Sequence, residues 1–460
     1  VADAALERTL AKHGAQYGTV VVMEVSTGHV KAISNLTLTE RGYVENYNWA
    51  VGAATEPGST FKLPALIVAM DQGGVKLTDV VDTENGTHRF YDRVMRDSHE
   101  GGYGKITMQR AFELSSNVAI SKRINRAFSA DPSAFVGGLQ KLGLADPLGV
   151  SIPGEGRPVL WGPGDANWSG VSLPWLSIGY GVQITPLQTL AFYNGIANGG
   201  RLMRPMFVES IRQNGSIVEE FEPVVLKDKM CSASTLKQVH RLLEAVVDSG
   251  TATNLAGAHF KIAGKTGTAQ IAKNNRYRGE SGVSYQASFV GYFPASAPKY
   301  SCIVVVNAPS RYVYYGNVVA GPIFKEIADK IYANRIELQH ETELVGIEGT
   351  NTPVSLSGSR ADLLAVFDEL GVSVADIGET QWVTTNARDK DVALMERSLP
   401  SEQTNKVPNV LGMGMRDALY ILENRGLRVE TNGFGMVKKQ SMRPGDIYQD
   451  GSTIQLELSL

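Results

Sequence analysis

Chemistry in this chain starts with Ser59 and Lys62, in Glu56-Pro57-Gly58-Ser59-Thr60-Phe61-Lys62-Leu63. A serine hydroxyl is a poor nucleophile until a base removes its proton. A lysine amine becomes such a base when a low-dielectric pocket or a neighbouring cation weakens its hold on the proton. Residues three apart share one face of a helix, so the spacing predicts that the Lys62 amine reaches the Ser59 hydroxyl. Pro57 and Gly58 predict a turn, with Ser59 opening a helix that ends at Gly73-Gly74. Taken alone the pair says little, because serine and lysine are common on solvated helix faces. Two further stretches give it company. Ser115-Ser116-Asn117 offers hydroxyls and an amide, and Lys265-Thr266-Gly267-Thr268 offers an ammonium, two hydroxyls and a glycine. Ser116 receives no role.

The elements that must hold these groups follow from periodicity. Residues 3–13 read as a helix, and 18–25 and 29–33 as a hairpin turned by Ser26-Thr27-Gly28. Residues 79–104 read as loop, and 106–127 as a helical stretch carrying Ser115. Helices are expected at 135–142, 186–197 and 234–247, with a Gly/Pro-rich run at 148–169. The period then becomes that of strands at 260–269, 284–292 and 300–306, before a closing helix at 321–331. Two early strands, inserted helices, three late strands and a last helix predict an α+β fold. It is expected to be one antiparallel five-stranded sheet flanked by helices, with an inserted helical subdomain. Such a fold brings the three motifs to one cleft.

From about residue 337 the character changes. Asp362-Leu363-Leu364-Ala365-Val366-Phe367-Asp368-Glu369-Leu370-Gly371-Val372 echoes Asp417-Ala418-Leu419-Tyr420-Ile421-Leu422-Glu423-Asn424-Arg425-Gly426-Leu427. In each, a short amphipathic helix runs through glycine into a strand, which marks an internal repeat. The second copy continues through Arg443-Pro444-Gly445 to an alternating strand at 453–458. The first is expected to lack that ending, with 401–406 as linker. The expected domains are 1–336, 337–405 and 406–460.

Composition narrows the function classes. A chain of 460 residues with 43% hydrophobic content can bury a large core in more than one domain. With 44 basic and 47 acidic residues, a net charge of −3 argues against nucleic acid as a main partner. No stretch reaches the roughly eighteen uncharged apolar residues that span a bilayer. The chain starts without Met, and Val1-Ala2-Asp3-Ala4-Ala5-Leu6-Glu7 reads as mid-helix, so its true N-terminus is expected upstream. Cys231 and Cys302 make no disulfide framework, and Cys302 reads as a buried strand thiol.

Together, the three motifs are the signature of the penicillin-binding proteins and related β-lactamases. Over about residues 18–335 the chain resembles the class B penicillin-binding proteins, peptidoglycan D,D-transpeptidases, and above all their division-specific members. Glu56 to Lys62, Ser177-Ile178-Gly179-Tyr180-Gly181, Thr185-Pro186-Leu187-Gln188 and Gly264-Lys265-Thr266-Gly267-Thr268-Ala269-Gln270 carry the likeness. Val407-Pro408-Asn409-Val410, with the helix and strands after it, resembles a PASTA domain, which makes 337–405 a degenerate PASTA-like copy.

The resemblance implies that Ser59 attacks the carbonyl between the last two D-alanines of a stem peptide, with Lys62 as base, and expels D-Ala. It implies an oxyanion hole of the Ser59 and Thr268 backbone N–H groups and a proton relay through Ser115. Asn117 would hold both the Lys62 amine and the substrate amide. Lys265, Thr266 and Thr268 would bind the terminal carboxylate, and Gly267 would let the peptide lie beside the strand. The amine of a second stem peptide then forms the cross-link. β-Lactams mimic D-Ala-D-Ala and are expected to acylate Ser59. No cofactor or metal is implied. An inner-membrane anchor and pedestal ahead of this chain, a periplasmic catalytic domain and membrane-anchored division or elongation partners are.

Other readings compete less well. Gly264-Lys265-Thr266 is no phosphate loop, because six residues rather than four separate Gly257 from Gly264. His88, Asp92, Asp97 and His99 fit no common zinc spacing. Tyr277 and Tyr285 are candidates for the cleft wall, Tyr292 reads as a strand residue, and Trp161, Trp168 and Trp175 read as core. Rival activities are a D,D-carboxypeptidase, a β-lactamase, and a β-lactam or muropeptide sensor. Against the β-lactamase, Glu155 is followed at the matching position by Pro158 rather than Asn, so slow deacylation is expected.

Overall fold

β-Branched runs from the two ends of the first 328 residues pair with each other, which is why the early and late motifs can meet. In the computed structural model, the described residues are 1–214, 216–258, 260–271, 277, 283–310, 313–334, 355–388, 390–401 and 404–459. Strands β1 (Tyr17–Glu24), β2 (Val30–Thr39) and β3 (Gly42–Val44) come first, then a small hairpin of β4 (Thr87–Phe90) and β5 (Arg93–Arg96). Strands β6 (Ala263–Gln270), β7 (Tyr285–Phe293) and β8 (Tyr300–Asn307) come later in the chain. Apart from the hairpin they form one antiparallel sheet in the order β6-β7-β8-β1-β2-β3. The expected five strands are thus joined by a three-residue sixth, β3.

The main helices are α1 (Ala2–His13), α2 (Lys62–Asp71), α3 (Met108–Glu113), α4 (Asn117–Phe128), α5 (Pro186–Ala197), α6 (Ala233–Asp248) and α7 (Gly316–Asn334). Every residue of β8 is buried, as expected of a strand covered on both faces. Leu6 and Leu10 of α1 fill the space that a side chain on Gly18 would take. Phe324 of α7 packs edge-on against Phe289 and Phe293 of β7. Asn194 of α5 donates to the Val25 carbonyl and accepts from Ser301, so a buried amide ties that helix to the sheet. Residues 62–69 of α2 are all buried, the pattern of a helix surrounded by protein.

Several expectations need correction. Ser59 does not open an α-helix: it lies in a 3₁₀ turn, Gly58–Phe61, and α2 begins at Lys62. The helical stretch at 106–127 is broken in two, because Ser115 adopts a left-handed conformation (φ 57°) between α3 and α4. The stretch read as loop at 79–104 contains the β4–β5 hairpin and the strand Val80–Asp82, which pairs with Lys105–Thr107. Trp161 is exposed, and Trp168 and Trp175 are only half-buried.

The second unit, Asp329–Leu460, holds the repeat. In the later copy, helix Met415–Glu423 leads to strand Arg428–Gly433, which runs parallel to Thr453–Ser459, and Met436–Gln440 pairs antiparallel with the latter. The earlier copy has the same layout: helix Arg360–Glu369, strand Val374–Ile377 parallel to Val392–Glu396, and Trp382–Ala387 antiparallel to it. The ending expected to be lost is therefore present, as Val392–Glu396. What has shrunk is the core. Among the described residues, four buried side chains centred on Phe367 replace the fourteen of the later copy. The expected boundary at 336/337 and part of the expected linker lie outside the described residues.

Candidate active site

Ser59 sits on a turn held from several sides. Gly58 has a positive φ of 57°, and a Cβ there would lie 2.8 Å from the Ala269 Cβ, so only glycine lets the turn lie against β6. The Gly58 N–H donates to the Gly179 carbonyl at 3.1 Å. Behind it, Tyr193 of α5 donates its hydroxyl to the Thr60 carbonyl at 2.8 Å. Ser59 remains partly exposed, as a nucleophile must.

One turn further on, Lys62 is fully buried. Its Nζ donates to the Ser115 carbonyl at 2.6 Å, to Asn117 Oδ1 at 2.7 Å and to Ser115 Oγ at 3.1 Å. Three N–H donors of an ammonium meet three acceptors from one short turn. The structure therefore brings Lys62 to Ser115 and Asn117, whereas the sequence spacing predicted a bond to Ser59. Burial pulls the Lys62 pKa down from 10.5 to about 7, with the charge of Asp97 opposing the shift. Near neutral pH a large fraction of Lys62 is thus a free amine with a lone pair. Burial rather than a neighbouring cation is the main cause.

Lys265, also fully buried, approaches the same hydroxyl from the other side. Its Nζ lies 3.0 Å from Ser115 Oγ and 3.1 Å from the Thr266 carbonyl, with the Phe112 ring 5.7 Å away. Burial, and then the proximity of Lys62, push the Lys265 pKa well down. Ser115 Oγ therefore bridges two lysine amines, one carried by α2 and the other by β6.

Strand β6 is the edge of the sheet, so half of its backbone groups have no strand partner. Gln270 N–H donates to the Tyr180 hydroxyl, and the Thr266 carbonyl accepts from Lys265, so both groups turn away from β7. In an antiparallel pair the outward set recurs every second residue, which puts the Thr268 N–H on the same open edge. Ser59 N–H belongs to the first turn of a helix, where amide donors lack intrahelical acceptors. Gly267 has a packing role of its own. A Cβ there would lie 2.2 Å from Ser288 Oγ and 2.9 Å from Thr60 Cγ2. Glycine lets the Ser59 turn pack onto β6.

Residues 18–329 match the family model described as the penicillin binding protein transpeptidase domain, and residues 405–460 match the PASTA domain. The chain belongs to the penicillin-binding transpeptidases. A probable peptidoglycan D,D-transpeptidase PenA from Neisseria flavescens is 30% identical over 70% of this chain and 76% of its own length. Stage V sporulation protein D of Bacillus subtilis is 26% identical over 90% of this chain and 56% of its own length. The chain spans about half the length of several other curated relatives. The crystal structure of penicillin-binding protein 3 from Mycobacterium tuberculosis complexed with aztreonam is 27% identical, with a TM-score of 0.62 over 72% of this chain and 76% of that one.

Around this transpeptidase site stand residues that sequence reasoning missed. Glu56, drawn up in pKa by burial, accepts from the Gly181 N–H at 2.8 Å and from the Tyr277 hydroxyl at 2.9 and 3.0 Å. Tyr277 does reach the cleft wall, packing edge-on to Tyr180. Tyr285 stacks flat on Tyr314 instead. Thr251 shares a 2.7 Å hydroxyl contact with Thr266. Asp97, suspected only as part of a metal-like cluster, accepts from Ser116 and Val118, while His88 pairs with Glu84. None of these partners has a fixed spacing from its motif. Glu56 and Tyr180, inside family stretches, and Tyr277, a cleft-wall candidate, carried some signal, but their pairing did not.

Proposed function

We propose that this transpeptidase cross-links peptidoglycan stem peptides through an acyl-enzyme on Ser59. The observation that carries the reading is the position of Ser115 Oγ between the amines of Lys62 and Lys265. Lys62, as the neutral amine, takes the Ser59 proton while Ser59 Oγ attacks the carbonyl of the penultimate D-Ala. Negative charge on the carbonyl oxygen is met by the Ser59 and Thr268 N–H groups, each donor contributing about 3–4 kcal/mol to the transition state. The proton passes from Lys62 through Ser115 to the departing D-Ala amine. Asn117 Oδ1 holds Lys62 in line. Lys265, Thr266 and Thr268 hold the terminal carboxylate by charge and hydroxyl donation.

The acyl group then leaves to the amine of a second stem peptide, which returns the proton by the same route. β-Lactams enter at the first step and stay. Glu155, the carboxylate with the nearest claim to activating a deacylating water, accepts instead from the N–H groups of Leu148, Gly149 and Val150. That commitment supports a long-lived adduct and disfavours a β-lactamase. Because stem peptides lie outside the cytoplasmic membrane, the reaction belongs there, with membrane-anchored division or elongation proteins as partners. A septal role follows from the likeness to division-specific members.

Intact-mass spectrometry with a penicillin tests the reading, alongside chromatography of a D-Ala-D-Ala donor peptide with and without an acceptor amine. Wild type should gain one stable adduct and release D-Ala, forming a dimer when the acceptor is present. Ser59→Ala should do neither. An adduct that persists on Ser59→Ala would contradict it.

A further inference from the structure

The turn that carries Ser115 and Asn117 does not hold its own shape. Ser115 is a non-glycine residue in the left-handed region, a conformation that costs about 1–3 kcal/mol and persists only where neighbours impose it. The neighbours come from the end of the β4–β5 hairpin. Ser116 Oγ donates to the Asp97 carboxylate, 2.9 Å from Oδ2 and 3.1 Å from Oδ1, and the Val118 N–H donates to Oδ1 at 3.0 Å. Asn117 Nδ2 donates to the Arg96 carbonyl at 2.8 Å, which orients Oδ1 of the same amide toward Lys62. Ser116 Oγ also accepts from the Ala119 N–H at 3.0 Å, capping α4. One hydroxyl thus links the carboxylate, the helix and the strained turn.

We infer that Asp97 is a positioning residue of the transpeptidase: it locks the 115–117 turn in the form that presents Ser115 and Asn117 to Lys62, and it supplies negative charge that acts on Lys62. The inference rests on Lys62 being the base for Ser59. The turn itself brings Lys62 only neutral oxygens, and β6 brings the like charge of Lys265. Glu113 of α3 is committed to Arg110 and Gln109. Around Asp97 itself stand Arg96, its chain neighbour, and Tyr103, whose hydroxyl feels the carboxylate. Asp97 charge favours the ammonium form of Lys62. It therefore keeps Lys62 from giving up its proton too easily, so that a proton is available for the departing amine.

Substitutions at Asp97 and Ser116 separate shape from charge, with the second-order rate of acylation by a fluorescent penicillin read from pH 5 to 9. Asp97→Asn keeps the size, an acceptor for Val118 and a partner for Ser116, and loses the charge. Its ascending limb should move to lower pH by roughly half a unit or more. Ser116→Ala keeps the charge and loses the hydroxyl, so its plateau should drop with the limb unmoved. Asp97→Ala should do both. Asp97→Ser serves as a second neutral variant if Asp97→Asn does not fold. A limb that stays in place or moves up in the neutral variants would overturn the inference, leaving Asp97 a structural residue. Labelling that survives Ser59→Ala would instead sink the underlying assignment of nucleophile and base, so the two failures are distinguishable.

Discussion

The cleft and the later C-terminal repeat bury opposite kinds of side chain. Around Ser59 the interior holds Lys62, Lys265, Thr60, Thr266, Ser116 and Ser288, all buried and most of them hydrogen-bonded across elements. The repeat at 405–459 buries a mostly apolar set from Val407 to Leu458, whose one hydroxyl, on Tyr448, donates to the Arg425 carbonyl. Burying an amine is unfavourable unless it is neutral or fully bonded. The cleft therefore gives up stability for reactivity, whereas the repeat maximises burial. Substitutions in the two regions should fail differently.

Lys62→Met should show the largest effect. Without a base, penicillin acylation should fall by roughly a thousandfold, within the range for loss of general-base catalysis. The same variant tests the stability cost. The folded Lys62 pKa, about 7, lies below the unfolded one near 10.5, so between those values the unfolded state binds more protons and stability rises with pH. Replacing Lys62 should flatten the rise of Tm between pH 7 and 9. An equal slope in both proteins would show that the buried amine does not titrate as described.

Gly267→Ala should come next. The new methyl group meets Ser288 Oγ and Thr60 Cγ2 and must push the Ser59 turn off β6. Acylation should drop by about a hundredfold, as when an oxyanion donor is displaced, with about 1–3 kcal/mol lost from overpacking. Leu422→Ala should affect only stability. Leu422 is fully buried in the apolar repeat, so the truncation should cost that repeat about 2–5 kcal/mol in calorimetry and leave acylation unchanged. A matching loss of acylation would break the contrast between the regions.

The same contrast explains what could be read from the chain. Short motifs with local spacing were legible: Ser59 to Lys62, Ser115 to Asn117, Lys265 to Thr268, and the α5 helix, whose expected bounds of 186–197 stand with a Thr185–Gln188 capping box. The two early and three late strands were legible from their period, though their order in the sheet was not. Bonds between distant residues were not legible. Nothing in the sequence ties Asp97 to Ser116, or Tyr193 to Thr60, because those pairs are set by tertiary packing. The break at Ser115 was invisible for a related reason. Local propensity favours one helix there, and a strained turn persists only because the hairpin end and Lys62 hold it. In the earlier repeat the final strand keeps an apolar run, Val392-Ala393-Leu394-Met395, and its hydrogen-bonded place; what the sequence lacks ahead of it is the Arg443-Pro444-Gly445 turn of the later copy.

The central claim is that a buried lysine, made neutral by its surroundings, activates Ser59. The pH dependence of the second-order rate of Ser59 acylation by penicillin tests it most directly. Below the Lys62 pKa the amine is protonated and cannot accept the serine proton, so the rate should climb with pH and level off just above about 7. A rate that is flat from pH 5 to 9, or that is still climbing at pH 9 as an unperturbed lysine would require, would contradict the account.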